Sequence, residues 1–293
     1  MNIQQNINKV ILGTAQMGLD YGINNKNGKI DTSESFKILE FAFLKGLKHL
    51  DCAESYGDIH KKLGMFKTLN PNKDFNIHSK ISSISTKNNP LIKLNEFLSD
   101  LKIKQIYSLM FHSYSLYQKG INQFSDYASM KESGLINNIG VSVYTNQELK
   151  KIIEDDNIDL IQIPFNMLDN SIEKLDLIKE AKQKGKIIQA RSIFLQGLFF
   201  KNLEENEIVK QKLHNELLEI KRISKQNKIP LNEMALNYVL QNDCIDYIVL
   251  GVDNLLHLKK NIEALDKSLH QQIINEIDAI NTENKFFLNP SNW

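Results

Sequence analysis

Four residues in this sequence have complementary chemistry and a shared kind of position: Asp51, Tyr56, Lys80 and His112. Asp51 closes the apolar run LKHLD, Lys80 closes FNIHSK, and His112 closes IYSLMFH. Tyr56 follows Asp51 within HLDCAESYG, residues 49 to 57. A phenol, with an unperturbed pKa of roughly 10, gives up a proton near neutrality only with help, and a nearby buried cation is the usual help. Lys80, kept charged by Asp51, would supply that cation, lower the pKa of Tyr56 and make it a general acid. His112 would donate a hydrogen bond to a carbonyl oxygen, a bond that strengthens as the oxygen gains charge. Any one of these residues at the end of an apolar run is more often structural than catalytic. The four together point to a carbonyl that is held, polarised and protonated on oxygen.

These residues sit at the ends of elements that recur along the chain. Eight apolar runs stand out: VILGT, LKHLD, FNIHSK, IYSLMFH, INNIGVSV, IDLIQIPF, KIIQARS and IDYIVLG. Helical spacing predicts helices between them at 33 to 45, 59 to 69, 90 to 100, 121 to 133, 146 to 154, 171 to 184, 206 to 240 and 254 to 265, with Pro230 splitting the seventh region in two. Asp31 is a candidate N-cap with Glu34 as its capping-box partner. Gly46, Gly134 and Gly185 follow helical patterns directly and suit a left-handed C-cap, with the next apolar run beginning within a few residues. Alternating β and α elements argue for parallel strands, and eight pairs predict a (β/α)8 TIM barrel. A doubly wound open sheet is the alternative, disfavoured because no GxGxxG follows the first strand. An extra amphipathic stretch, 268 to 280, and a tail ending in Trp293 complete the chain, which reads as a single barrel domain over 1–293.

Composition narrows the function classes. The chain has 293 residues, 42% hydrophobic and 24% charged, with a formal net charge of +1, so neither disorder nor a nucleic-acid partner is indicated. Cys52 and Cys244 are too few for a disulfide framework or a four-thiolate zinc site, which suits a reducing compartment. No signal-peptide core opens the sequence and no run reaches the ~18 apolar residues of a membrane span, so a soluble cytoplasmic protein with no membrane partner is expected. His49, His60, His78, His214 and His270 lack metal-ligand spacing, and no metal site is expected. A metal-dependent barrel hydrolase or isomerase using Asp51 and His112 is a distant alternative.

With these residues in view, the sequence resembles the aldo-keto reductases from about Ile11 to Asn261. DCAESYG is similar to the family's DTAxxYG motif, and Lys80 and His112 fall at the ends of the next two strands in the family's order. The resemblance implies NADPH- or NADH-dependent reduction of an aldehyde or ketone, with Tyr56 as general acid and a small-molecule carbonyl as partner. It also implies a cofactor path. GVSVY resembles the segment in which Ser142 meets the nicotinamide carboxamide, although Val143 replaces the usual asparagine. IQIPFN supplies Gln162 for the same amide. In QARSIFLQGLF, Ser192 and Gly197 resemble the loop over the pyrophosphate, and Arg191 stands where an aromatic commonly stacks on the nicotinamide. VLGVDNLLHLKKN resembles the adenosine-binding segment, with Asn261 at the adenine. Gly251 and His257 replace the lysine and arginine that bind the 2′-phosphate in NADPH-specific members, so the choice of cofactor stays open despite the family's lean to NADPH.

The imperfect nicotinamide segment keeps a second function in play, a cofactor-binding regulatory module on the same fold with little turnover. The first loop, GTAQMGLDYGINN, resembles a bacterial subgroup tied to carbohydrate metabolism, and Gln16, Asp20, Tyr21 and Asn24 could face a sugar or sugar derivative. The same polar residues also satisfy turn geometry. Phe286, Phe287 and Trp293 are candidates for a substrate lid, Cys52 for a small core residue.

Overall fold

A computed structural model describes residues 3–84, 89–204 and 207–293. Eight strands form one closed, all-parallel barrel: β1 (Val10–Gly13), β2 (His49–Asp51), β3 (Asn76–Ile81), β4 (Ile106–Phe111), β5 (Ile136–Ser142), β6 (Leu160–Pro164), β7 (Ile187–Arg191) and β8 (Tyr247–Gly251). Ring closure pairs Val10 with Ile248 and Gly13 with Gly251. The eight runs read from the sequence are these eight strands, in order. The open doubly wound sheet is thereby ruled out.

The helices follow the expected spacing with local differences. Thr32–Leu44 starts where Asp31 accepts a hydrogen bond from the Glu34 amide, 2.8 Å. The expected capping box is only half made, because Glu34 turns away and its Oε1 accepts from the Leu255 amide at 3.0 Å. The long seventh region is two helices, Glu207–Asn227 and Leu231–Leu240, separated by Lys228 at φ 56° and Pro230. The predicted helix over 121 to 133 is a 3₁₀ turn, Ile121–Gln123, running into Phe124–Glu132. It is preceded by a helix that the spacing did not reveal, Tyr114–Gly120, capped by Ser113. Gly134 and Gly185, at φ 75° and 77°, take the left-handed turn expected after a helix.

Two cores result from the alternation of strand side chains. Outward residues such as Leu12, Leu50, Leu109, Phe111, Ile161 and Ile188 pack with the helices in one hydrophobic cluster. The lumen is different. Where a barrel of this type usually carries branched aliphatic layers, this one holds His49, Asp51, His78, Lys80, Ser108, Gln162 and Gln189, all buried. They satisfy one another. His49 Nδ1 lies 2.9 Å from His78 Nε2, and His78 Nδ1 lies 2.7 Å from Ser108 Oγ and 2.9 Å from Gln189 Nε2. Gln189 Oε1 accepts from Gln162 Nε2 at 3.0 Å, and Gln162 Nε2 also donates to Asp51 Oδ2 at 2.9 Å. A hydrogen-bonded column therefore runs up the barrel to the pair that ends β2 and β3.

Candidate active site

That pair is the floor of a cavity of about 590 Å³. Lys80 Nζ donates to both carboxylate oxygens of Asp51, at 2.5 and 2.6 Å. Strand pairing dictates the meeting: Asp51 lies beside His78 across β2 and β3, so Lys80, two residues on and on the same face, reaches it from above. Tyr56 stands over the pair, its ring centroid 5.3 Å from Lys80 Nζ, and the His112 ring meets it edge-on at 5.8 Å. The loop is held there by a close backbone approach. A Cβ on Gly18 would sit 1.9 Å from the Tyr56 carbonyl oxygen, so the short helix Ala15–Gly18 can press against Tyr56 only with glycine at that position.

The electrostatics correct one expectation. Tyr56 is not made acidic here: burial first, and the Asp51 carboxylate second, push its phenol well above the ordinary value, with Arg191 opposing. The main reason is the poorly solvated cleft in which the phenol sits, which disfavours its charged form. Tyr56 is thus a phenol that keeps its proton at neutral pH. His112 is pushed down to about 4, by burial and then by the Lys80 charge, and is neutral above that. Its Nδ1 lies 3.0 Å from Ser82 Oγ and 3.3 Å from Ser55 Oγ. A hydroxyl donating to Nδ1 leaves the ring proton on Nε2. Ser82 is itself fixed: Glu54 accepts from the Ser82 amide at 2.7 Å and is paired with Lys93 at 2.7 Å.

The catalytic and cofactor candidates named from the sequence all border this one cavity: Asp51, Tyr56, Lys80, His112, Ser142, Gln162, Arg191, Ser192, Gly197, Gly251, His257 and Asn261. Two buried polar atoms among them have no partner, Ser142 Oγ and Arg191 Nε. An orphaned hydroxyl beside the ion pair suits the carboxamide of a nicotinamide, and the donor set fits that group. Gln162 differs from expectation in detail. Its Nε2 is used on Asp51 and Gln189, which leaves Oε1 for the cavity side. Arg191 does not lie open for a planar ring but stacks on Tyr144, 4.2 Å from its centroid, and donates to the Val143 carbonyl at 3.2 Å.

At the opposite end, Asn232 Nδ2 donates to Asn261 Oδ1 at 3.2 Å, and Asp253 joins the wall between Gln16 and His257. Lys260 borders the cavity, whereas Lys259 lies over the Phe41 ring at 5.5 Å. Gln16, Tyr21 and Asn24 reach the cavity but Asp20 does not. Gln196 Nε2 donates to Tyr21 at 2.9 Å, so the loops after β1 and β7 touch above the opening. The tail contributes Asn289 and Pro290 rather than the expected aromatics; Trp293 donates to the Phe287 carbonyl at 2.8 Å, and Phe286 is 64% exposed. Cys52 is a buried core residue whose thiol is pushed up to about 12.

Sequence reasoning missed Ser82, Glu54, Gln189, Tyr144, Asp253 and Glu34. A signal existed for Ser82: it follows Ile81 as His112 follows Phe111, and Ile81 pairs with Phe111. Among the described residues no group of three or more His, Cys, Asp or Glu side chains is placed to hold a metal ion, and no helix is long and apolar enough to cross a membrane.

Fold and cavity define a (β/α)8 enzyme with its site at the carboxyl ends of the strands. The sequence carries this further: residues 9–282 match the Aldo/keto reductase family, and the chain belongs to it. It is an NAD(P)H-dependent oxidoreductase acting on small molecules. An uncharacterized oxidoreductase of Schizosaccharomyces pombe is 24% identical over 242 residues, covering 79% of this chain and 74% of that protein. The holo form of an aldo-keto reductase from Bacillus halodurans superposes with a TM-score of 0.77 at 19% identity, covering 94% of each chain. A putative aldo-keto reductase of Pseudomonas aeruginosa gives 0.64 at 18%, covering 88% of this chain and 89% of that one.

Proposed function

We propose that this protein reduces the carbonyl of an aldehyde or ketone to an alcohol, with Tyr56 giving its proton to the oxygen. The observation that carries this reading is the buried Lys80–Asp51 pair beneath a protonated phenol with a neutral imidazole against its edge. A reduced nicotinamide, when bound, supplies the hydride to the carbonyl carbon. Ser142 Oγ and Gln162 Oε1 would hold its carboxamide, Arg191, Ser192 and Gly197 would lie along its phosphates, and Gly251, His257 and Asn261 would border its adenosine end. His112, with its proton directed to Nε2 by Ser82, donates to the carbonyl oxygen and aims it at the Tyr56 hydroxyl. As charge grows on that oxygen, the phenol proton moves across. The tyrosinate left behind lies over the Lys80 ammonium, 5.3 Å from the ring centroid. The raised pKa of Tyr56 keeps the proton on the resting phenol but also makes it a weaker acid, so the transfer is driven by the negative charge that the hydride places on the substrate oxygen. The polar rim of Tyr21 and Asn24 favours a hydroxylated substrate, a sugar or sugar derivative.

Turnover of a reactive aldehyde with NADH and with NADPH tests the reading. Tyr56→Phe keeps the ring and removes the proton, and its kcat is expected to fall at least about a hundredfold with dinucleotide binding retained. Equal turnover by the two proteins would sink the proposal.

A further inference from the structure

Resting on the proposed function, we infer that the far end of the cavity selects a dinucleotide whose adenosine ribose has a free 2′-hydroxyl, so that NADH is the working cofactor and NADPH is rejected. With the nicotinamide at Ser142 and Gln162, the other half of the molecule must reach the exit of β8 and the start of the helix Leu255–Ala264. A helix N-terminus is the ordinary place for a phosphate, because its first amides are unpaired and point outward. Here two of them are already taken. The Leu255 amide donates to Glu34 Oε1 at 3.0 Å, and the His257 amide donates to Asn254 Oδ1 at 2.8 Å. Glu34 reaches across from another helix, 221 residues earlier in the chain, and its resident carboxylate occupies the place of an anion.

Asp253 adds the second part of the argument. It borders the cavity immediately before that helix, with Oδ1 3.5 Å from Gln16 Nε2 and Oδ2 3.5 Å from His257 Nδ1. Those contacts are long and leave the carboxylate able to accept another hydrogen bond. A ribose hydroxyl can donate to it; a phosphate in the same place cannot, and repels it. Lys260 is the one cavity-lining cation of this helix, five residues beyond its first position and so about 7.5 Å further along the axis. The unit is a carboxylate acceptor beside a neutralised helix end, which discriminates by what it repels as much as by what it holds.

Calorimetric titration of the full-length protein with NADH, NADPH, 5′-AMP and 2′-AMP reads this without turnover. The wild-type protein is expected to bind NADH at least about tenfold tighter than NADPH and to show the same order for the two fragments. Asp253→Asn and Glu34→Gln each remove a charge while keeping the shape, and should narrow the gap by strengthening NADPH; Glu34→Ala, which frees the Leu255 amide, should strengthen it further. Equal or tighter binding of NADPH by the wild type overturns the inference and leaves carbonyl reduction standing. So does a selective loss of NADPH binding in Lys260→Ala with no gain in the acidic variants. Failure of both dinucleotides to bind overturns the proposed function and this inference with it.

Discussion

Lys80 has almost no water to solvate its ammonium: its side chain is 2% exposed, and that of its partner Asp51 is 4%. A buried ion pair of this kind is held by its geometry and by the hydrogen bonds around it, here the one from Gln162. Removing one member leaves the other charged and unpaired. Lys80→Met is therefore expected to lower unfolding free energy in urea by about 3 to 5 kcal/mol, while the double variant Asp51→Asn, Lys80→Met recovers a good part of that loss yet stays inactive. A single variant as stable as the wild type would show that Asp51 finds another partner. The correction to Tyr56 belongs at this scale too. Residue types suggested that Lys80, held charged by Asp51, would lower the pKa of the phenol; in the folded protein burial and the Asp51 carboxylate raise it instead.

Elements, more than residues, were legible in the sequence. The strand ends could be counted because apolar runs stop at polar residues, and Asp51, Lys80 and His112 were found that way. What escaped was whatever depends on which elements touch. Gln189 looks like any polar strand residue until β7 is known to lie beside β6 with Gln189 in register with Gln162, which it orients. Glu34 was read as a local capping residue, and its real partner is on another helix. The helix Tyr114–Gly120 was hidden by its shortness. The turn Ala15–Gly18 is the element on which the site most directly leans. Gly18→Ala would force the Tyr56 backbone aside, at a stability cost of about 1 to 3 kcal/mol and a fall in kcat of at least about tenfold. Thermal unfolding together with steady-state kinetics checks both; full kcat in a destabilised Gly18→Ala protein would mean that this turn does not set the phenol.

At the scale of the molecule, buried imidazoles in the lumen and behind it tie stability to pH. His49 and His60 are pushed down to about 4 and His78 well below its ordinary value, in each case chiefly by burial, against about 6.5 in the unfolded chain. The folded state thus holds these rings neutral while the unfolded state takes up protons below about pH 6.5. Their contribution is fully present above that pH and is lost as pH falls towards 4. Each group adds a slope of on the order of 1.4 kcal/mol per pH unit within the window. Urea unfolding between pH 7 and pH 4.5 is expected to show stability dropping steadily, and His78→Gln should flatten the curve. A stability independent of pH over this range would contradict the account.

Closure of the ring has a consequence for how the protein comes into being. Val10 to Gly13 pair with Ile248 to Gly251, and Gln16 reaches Asp253 across 237 residues of sequence. During synthesis the first strand must wait for the last, and until β8 leaves the ribosome the sheet has two unpaired edges and the nucleotide has only half a wall to lie against. Such edges invite association with other chains. On the proposed function, a dinucleotide spanning Ser142 and Asn261 would need the shut seam and would act as a clasp, favouring the newly closed ring over every partly made one.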